Sequence, residues 1–219
     1  MHPLLWNIRN LLAQKSDEAS VYNRIQRFVG NHRLYHNLIQ EYFPTDAPYR
    51  ILDIGCGTAE IVHHLPDNIE YIGIDLHQKY ITAAQALFPQ HRFICGDCTN
   101  LEQWSIPKAD VVCLLGVLHH LPNHQAEQVL TSAMAYVAPQ GILLTLDGCR
   151  EANISKLEDF FYAVDRGRYI RNKESYEDLF RFSSKSKAIH SKLVRWLHVP
   201  YQHLICVYQR GADVSVLDI

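Results

Sequence analysis

Six short apolar runs recur from residue 49 onward: YRILDI (49–54), EYIGID (70–75), RFICGD (92–97), DVVCLLG (110–116), GILLTLD (141–147) and LICVY (204–208). Each has the length of a strand, and most are nearly continuous in apolar character. A strand wetted on one face alternates apolar and polar residues, so a continuous run means that both faces are buried. Between the runs lie amphipathic stretches near 58–65, 77–87, 123–138 and 153–164 with the spacing of helices. Strands alternating with helices predict a parallel sheet covered on both faces. The end of the chain breaks that rhythm. KAIHSKLVRWL and QHLICVYQR are separated by a short turn region around His198–Pro200. That leaves no room for a crossover helix, so the pair reads as an antiparallel hairpin at the sheet edge.

Ahead of the first strand, Leu4, Leu5, Ile8, Leu11 and Leu12 follow helical spacing. So do Tyr22, Ile25, Phe28 and Val29, and then Leu34, Leu38 and Ile39 before Pro44. The expected fold class is α/β: a Rossmann-like seven-stranded sandwich with an antiparallel C-terminal hairpin and a helical N-terminal extension. With 219 residues the chain suits one domain. Its formal charge of −2 speaks against a general nucleic-acid binder. No apolar run approaches the ~20 residues of a membrane span. The start, MHPLLWNIRN, lacks a basic n-region and an adequate apolar h-region, so no secretory signal is expected. The six cysteines are scattered, and Cys95, Cys113 and Cys206 read as small core residues. The expected location is therefore the reducing cytoplasm.

In open α/β sheets, ligands bind beyond the carboxyl ends of the strands. The first run ends in Asp53-Ile54-Gly55-Cys56-Gly57, where glycines let the backbone turn tightly and approach a ligand. The second ends at Asp75, 20 residues after Gly55, where an acid can accept both hydroxyls of a ribose. The third ends at Asp97, and the fourth runs into Gly116-Val117-Leu118-His119-His120-Leu121-Pro122. The dinucleotide fingerprint G-x-G-x-x-G fails, because Glu60 holds its third position. No P-loop signature is present either. Three acids without a phosphate-binding device suit a nucleoside that carries positive charge and no phosphate. S-adenosylmethionine is such a molecule.

The ordered segments LDIGCGTA, YIGIDLHQKYI, FICGDC, ADVVCLLGVLHHLP and APQGILLTLD span residues 49–148. Together they resemble the class I S-adenosylmethionine-dependent methyltransferases, and the terminal hairpin extends the resemblance. The family's loop pattern is acid-x-G-x-G-x-G; here Ala59 takes the third glycine's place. The resemblance implies that Asp53 organises the loop and the methionine amino group, while Gly55 and Gly57 meet the methionine part. It implies Asp75, with Leu76, at the ribose, Asp97 and Cys98 at the adenine edge, and Leu115–Gly116 on the sulfonium side. Tyr22 and Gln26 of the N-terminal helices would close over the cofactor. The plain alternative for each aspartate is a helix cap or turn residue.

Methyl transfer is an in-line displacement that needs alignment and exclusion of water. An oxygen or nitrogen acceptor also needs its proton removed in many cases. His119 and His120, after the fourth strand, and His203, at the start of the last, are the candidate catalytic bases. His63 and His64 read as packing or surface residues. The CxxC pair Cys95/Cys98 lacks a second ligand pair, and no metal is expected. In the resemblance, residues 149–185 form the acceptor lid, with Arg166, Arg168, Tyr169, Arg171 and also Tyr201 against the substrate. From 166 to 195 there are nine Lys/Arg against three acids, a local +6. Arginine forks match carboxylate or phosphate, whereas the bland reading is a solvated basic face.

The chain also resembles a subset of small bacterial-type methyltransferases, with VYNRIQRFVG-, DRGRYIR- and PYQH-like stretches. The expected organisation is one domain over 1–219: a helical cap (1–47), a cofactor-binding core (49–148), the lid (149–185) and the hairpin (186–210). The expected function is S-adenosylmethionine-dependent methyl transfer to a small-molecule acceptor, an anionic one being an option. The rivals are an RNA methyltransferase, a non-catalytic S-adenosylmethionine-binding protein and an NAD oxidoreductase. Neither nucleic acid nor a membrane is expected as a partner; the oligomeric state is left open, a homodimer included.

Overall fold

A computed structural model describes residues 31–46, 48–152, 154–165, 167–184 and 189–209. The first helix in that range, α1 (Asn31–Tyr42), precedes seven strands: β1 (Arg50–Ile54), β2 (Glu70–Asp75), β3 (Arg92–Cys95), β4 (Ala109–Leu115), β5 (Val137–Gly148), β6 (Ile189–Val194) and β7 (His203–Gln209). They form one sheet in the order β3-β2-β1-β4-β5-β7-β6. β1 to β5 pair in parallel, and β7 pairs antiparallel with both β5 and β6. The expected sandwich and terminal hairpin are both present. The helical expectation for residues 1–30, with Tyr22 and Gln26, lies outside the described residues.

The continuous apolar runs are explained by burial on both faces. Successive side chains on a strand point to opposite sides. Leu52, Ile54, Ile72, Ile74, Val112 and Leu114 enter one core, with the helices α3 (Asn123–Tyr136) and α5 (Lys173–Ser184). Ile51, Tyr71, Val111 and Cys113 enter the other, with α1 and α2 (Gln78–Leu87). The stretch after β1, expected as a helix near 58–65, is a short 3₁₀ turn over Glu60–His64. His63 packs edge-on against Phe88 and His64 against His32, as packing residues do.

The largest departure lies between β5 and β6. α4 (Lys156–Val164) begins with a reciprocal cap: Ser155 Oγ accepts from Glu158 N–H, and the Glu158 carboxylate accepts from Ser155 N–H. α5 then follows where the reading from sequence has only lid. Tyr176, Leu179 and Phe180 are buried in the core beside α3. The Tyr176 hydroxyl donates to Gly148 O at 3.0 Å. Spacing of apolar side chains at i, i+3 and i+4 (Tyr176, Leu179, Phe180) drives this helix onto the sheet. Among the described residues, the connection at 167–171 meets the turn after β4, where Tyr169 N–H donates to His119 O.

Phe180→Ala should therefore behave as a core deletion and cost about 3–5 kcal/mol. Urea unfolding measures it; an effect below about 1 kcal/mol would return α5 to the surface.

Candidate functional site

The β1 loop is built on left-handed backbone. Gly55 and Gly57 have φ of +77° and +54°. A Cβ on Gly55 would lie 2.5 Å from Val117 Cγ2, whereas one on Gly57 would meet nothing within 4 Å. Among the described residues, Gly57 thus sits under open space. Ala59, in the third glycine's place, also adopts φ +58° and is fully buried. The loop survives there, with the cost that a side chain adds in that region.

Asp75 closes the loop from the next strand. Its Oδ2 accepts from Gly57 N–H at 3.0 Å and its Oδ1 from His77 N–H at 2.8 Å. The neighbouring Leu76 is 67% exposed, an uncovered apolar side chain at the strand end. Asp97 is exposed and accepts from Thr99 N–H at 2.9 Å. Cys98 is half-buried beside it, and burial pushes its thiol up to about 11. Leu115 is half-buried, and Gly116 N–H donates to Leu146 O at 2.7 Å.

Asp53 is buried beneath the loop and takes the Tyr71 hydroxyl on Oδ2 at 2.6 Å. Its Oδ1 has no hydrogen-bond partner among the described residues. Burial pushes its carboxyl up to about 7; the Tyr71 hydrogen bond opposes that, and the Asp75 charge adds to it. One buried oxygen of Asp53 is thus left without a hydrogen-bond partner among the described residues, at the end of the strand that leads into the glycine turn.

A second cluster lies at the ends of β4 and β5. His119 is buried, and its Nδ1 lies 2.7 Å from Asp147 Oδ1, which also accepts from His119 N–H. An ionised carboxylate only accepts, so Asp147 fixes the proton on Nδ1 and leaves Nε2 facing outward. That nitrogen lies 3.6 Å from Asp165 Oδ1. Burial lowers the His119 pKa, but the Asp147 hydrogen bond and charge and the Asp165 charge outweigh it and raise the group above its ordinary value; Arg171 opposes them. His120 is exposed, its ring 4.1 Å from that of His119. His203 is buried behind Tyr201, with ring centroids 4.9 Å apart, and burial and the neighbouring His119 bring it down to about 4. It is neutral at physiological pH and a weak base.

Of the described arginines, Arg171 spends its donors inside the chain and Arg168 is exposed. Arg171 is buried and donates to Leu118 O, Leu121 O, Tyr169 O and Asn123 Oδ1 at 2.6–3.0 Å. Its donors brace the 165–171 connection onto the turn that carries His119, so the expected substrate contact gives way to an internal one. Arg168 and Tyr169 are exposed, and Tyr169 N–H donates to His119 O. Arg166 lies outside the described residues. Asp147 and Asp165 escaped the reading from sequence. The strand-end rule that picked Asp53, Asp75 and Asp97 applies equally to Asp147, the last residue of GILLTLD.

Residues 52–143 match the family model described as a methyltransferase domain. Over those residues the chain is similar to a methyltransferase domain. The chain is 30% identical over 122 residues to a tRNA (guanine-N(7)-)-methyltransferase of Rubrobacter xylanophilus, covering 49% of this chain and 52% of that one. It is 25% identical over 190 residues to a malonyl-[acyl-carrier protein] O-methyltransferase of Bacillus cereus, covering 83% and 68%. The chain thus spans about half to two thirds of these relatives. The solved plantazolicin methyltransferase BamL, in complex with a triazolic desmethylPZN analog and SAH, shares the fold with a TM-score of 0.63. It is 15% identical, and the match covers 85% of each chain. Among the described residues no helix is long and apolar enough to cross a membrane.

Asp53 carries a pH signature. Its folded pKa lies above that of the unfolded carboxyl, so the folded state holds an extra proton between about pH 4 and 7, and its contribution to stability is lost as pH rises through that window. Asp53→Asn should therefore gain about 1–3 kcal/mol over the parent at pH 8 and little at pH 4. Urea midpoints at the two pH values check this; equal differences would remove the buried-charge account.

Proposed function

We propose that the chain transfers a methyl group from S-adenosylmethionine to a small-molecule acceptor held over the ends of β4, β5 and β7. The observation that carries the cofactor side is the unpartnered Asp53 Oδ1 beneath the open turn at Gly57, with Asp75 closing the same turn. A molecule with an ammonium, a ribose and an adenine fits that row. Asp53 would face the ammonium side, Asp75 the ribose, Leu76 one face of the adenine and Asp97 its edge. When bound, the cofactor supplies an activated methyl on a sulfonium. The chain's own work is to align it and keep water away. The SAH complex of the similarly folded BamL supports this reading.

On the acceptor side, His119 is the group that meets the substrate. Held by Asp147, its Nε2 offers a lone pair when neutral and an N–H when charged. His203 contributes as packing beneath Tyr201. The described part of the basic stretch is largely neutralised, although Arg168 is exposed. Arg171 is consumed internally, Arg181 pairs with Asp178 and Glu177, Lys192 with Glu41, and Arg195 with Glu158. The malonyl-[acyl-carrier protein] O-methyltransferase relative supports an acyl acceptor, and the tRNA (guanine-N(7)-)-methyltransferase relative supports the RNA reading.

Titration calorimetry should show S-adenosylhomocysteine binding and no comparable binding of NAD; the reverse order would overturn the assignment. Asp75→Ala removes a charge-assisted hydrogen bond worth roughly 1.5–3 kcal/mol, so affinity should fall at least about tenfold. An unchanged affinity would leave Asp75 as a turn residue alone.

A further inference from the structure

The acceptor side of His119 is filled by a carboxylate of the chain itself. Asp165, at the end of α4, presents Oδ1 3.6 Å from His119 Nε2. That oxygen also accepts from Gly167 N–H at 2.6 Å, and Oδ2 accepts the Tyr201 hydroxyl. Asp165 has no part in the cofactor row. The two groups that meet it from the sheet side are rigidly held. Asp147 fixes the His119 ring from behind. Tyr201 is buried between the rings of Tyr162 and His203, with centroids 4.6 and 4.9 Å away. Its hydroxyl crosses Gly148, where a Cβ would come within 2.0 Å of it. Tyr201 and His119 therefore form a preset pair, while Asp165 is carried on the connection.

We propose that Tyr201 and His119 are a carboxylate-binding pair for the acceptor, and that Asp165 holds the place of a substrate carboxylate that displaces it. This rests on the methyl-transfer reading above. The donors suit the task. Burial first, then the Asp165 charge, raises the Tyr201 pKa, so its hydroxyl stays protonated. His119 faces Asp147 from β5, Asp165 and Arg171 from the connection, His203 and Tyr201 from the entry to β7, and His120 from its own turn. Burial lowers the His119 pKa, while the Asp147 hydrogen bond and charge and the Asp165 charge raise it above its ordinary value; in its charged form the ring donates from Nε2 and takes up no proton. A hydroxyl acceptor would gain no base from such a residue. A carboxylate needs none: its oxygen takes the methyl as the methyl–sulfur bond breaks, the negative and sulfonium charges cancel, and no proton moves.

The test uses the full chain labelled at histidine, read by NMR, and needs no identified substrate. In Asp165→Ala the His119 titration should move to lower pH as its partner charge leaves. Millimolar acetate should restore it, and acetamide should not. Adding Tyr201→Phe should weaken the acetate response about tenfold, since a hydrogen bond to a charged group is lost. No response to acetate, or an equal response to acetamide, overturns the proposal. Should Asp165→Ala fail to fold, Asp165→Asn keeps the shape without the charge. His119 must then titrate lower, and an unmoved titration counts against the pair. S-adenosylhomocysteine calorimetry on the same proteins reports separately on the methyl-transfer reading. Loss of cofactor binding in the parent sinks that reading, whereas an acetate failure with cofactor binding intact sinks this one alone.

Discussion

The hydrogen bond from Gly57 N–H to the Asp75 carboxylate ties the end of β1 to the end of β2. It exists because the two strands run parallel in a register that pairs Asp53 with Gly73 and Ile54 with Ile74, which delivers both chain reversals to one edge. Left-handed backbone at Gly55 and Gly57 then opens the turn instead of filling it. Asp53 is trapped below, with one oxygen satisfied by Tyr71 and one unsatisfied. Leaving a buried carboxylate oxygen unpaired costs stability. A ligand cation at the strand end would supply the missing partner, which is the reading proposed above.

The antiparallel half of the sheet does the corresponding work for the acceptor. Because β7 runs against β5, His203 lies opposite Gly148, and Tyr201 arrives beside the carboxyl ends of β4 and β5. A parallel strand at that position would bring its other end. Asp147, His119, Asp165 and Tyr201 thus come from four distant points of the chain and meet within one cluster. Arg171 holds the connection down by donating to carbonyls on the His119 turn. In the proposal made above, the charge balance of this cluster, and not the arginine count of the sequence, selects the acceptor.

The strands were legible because burial on both faces leaves continuous apolar runs, and the hairpin because eight residues between β6 and β7 hold no helix. Asp53, Asp75 and Asp97 were legible because polar residues at the ends of buried runs stand out. α5 was not. Its charged residues, Lys173, Glu174, Glu177, Asp178 and Arg181, dominate the local composition, while the buried side that carries Tyr176 and Phe180 is narrow. Arg171 misled for a related reason. A guanidinium that binds a substrate anion and one that binds backbone carbonyls have the same sequence appearance. Asp165 was hidden because its partners, His119 and Tyr201, lie 46 and 36 residues away in the chain.

The most direct test of the account is a crystal structure of the full chain grown with S-adenosylhomocysteine. The account predicts density that starts against the Gly55–Gly57 turn with its amino group on the Asp53 side. It should continue with the ribose hydroxyls on Asp75 and the adenine between Leu76 and Asp97. Density elsewhere on the molecule, or a turn that stays empty beside an intact Gly57–Asp75 contact at saturating ligand, would contradict it.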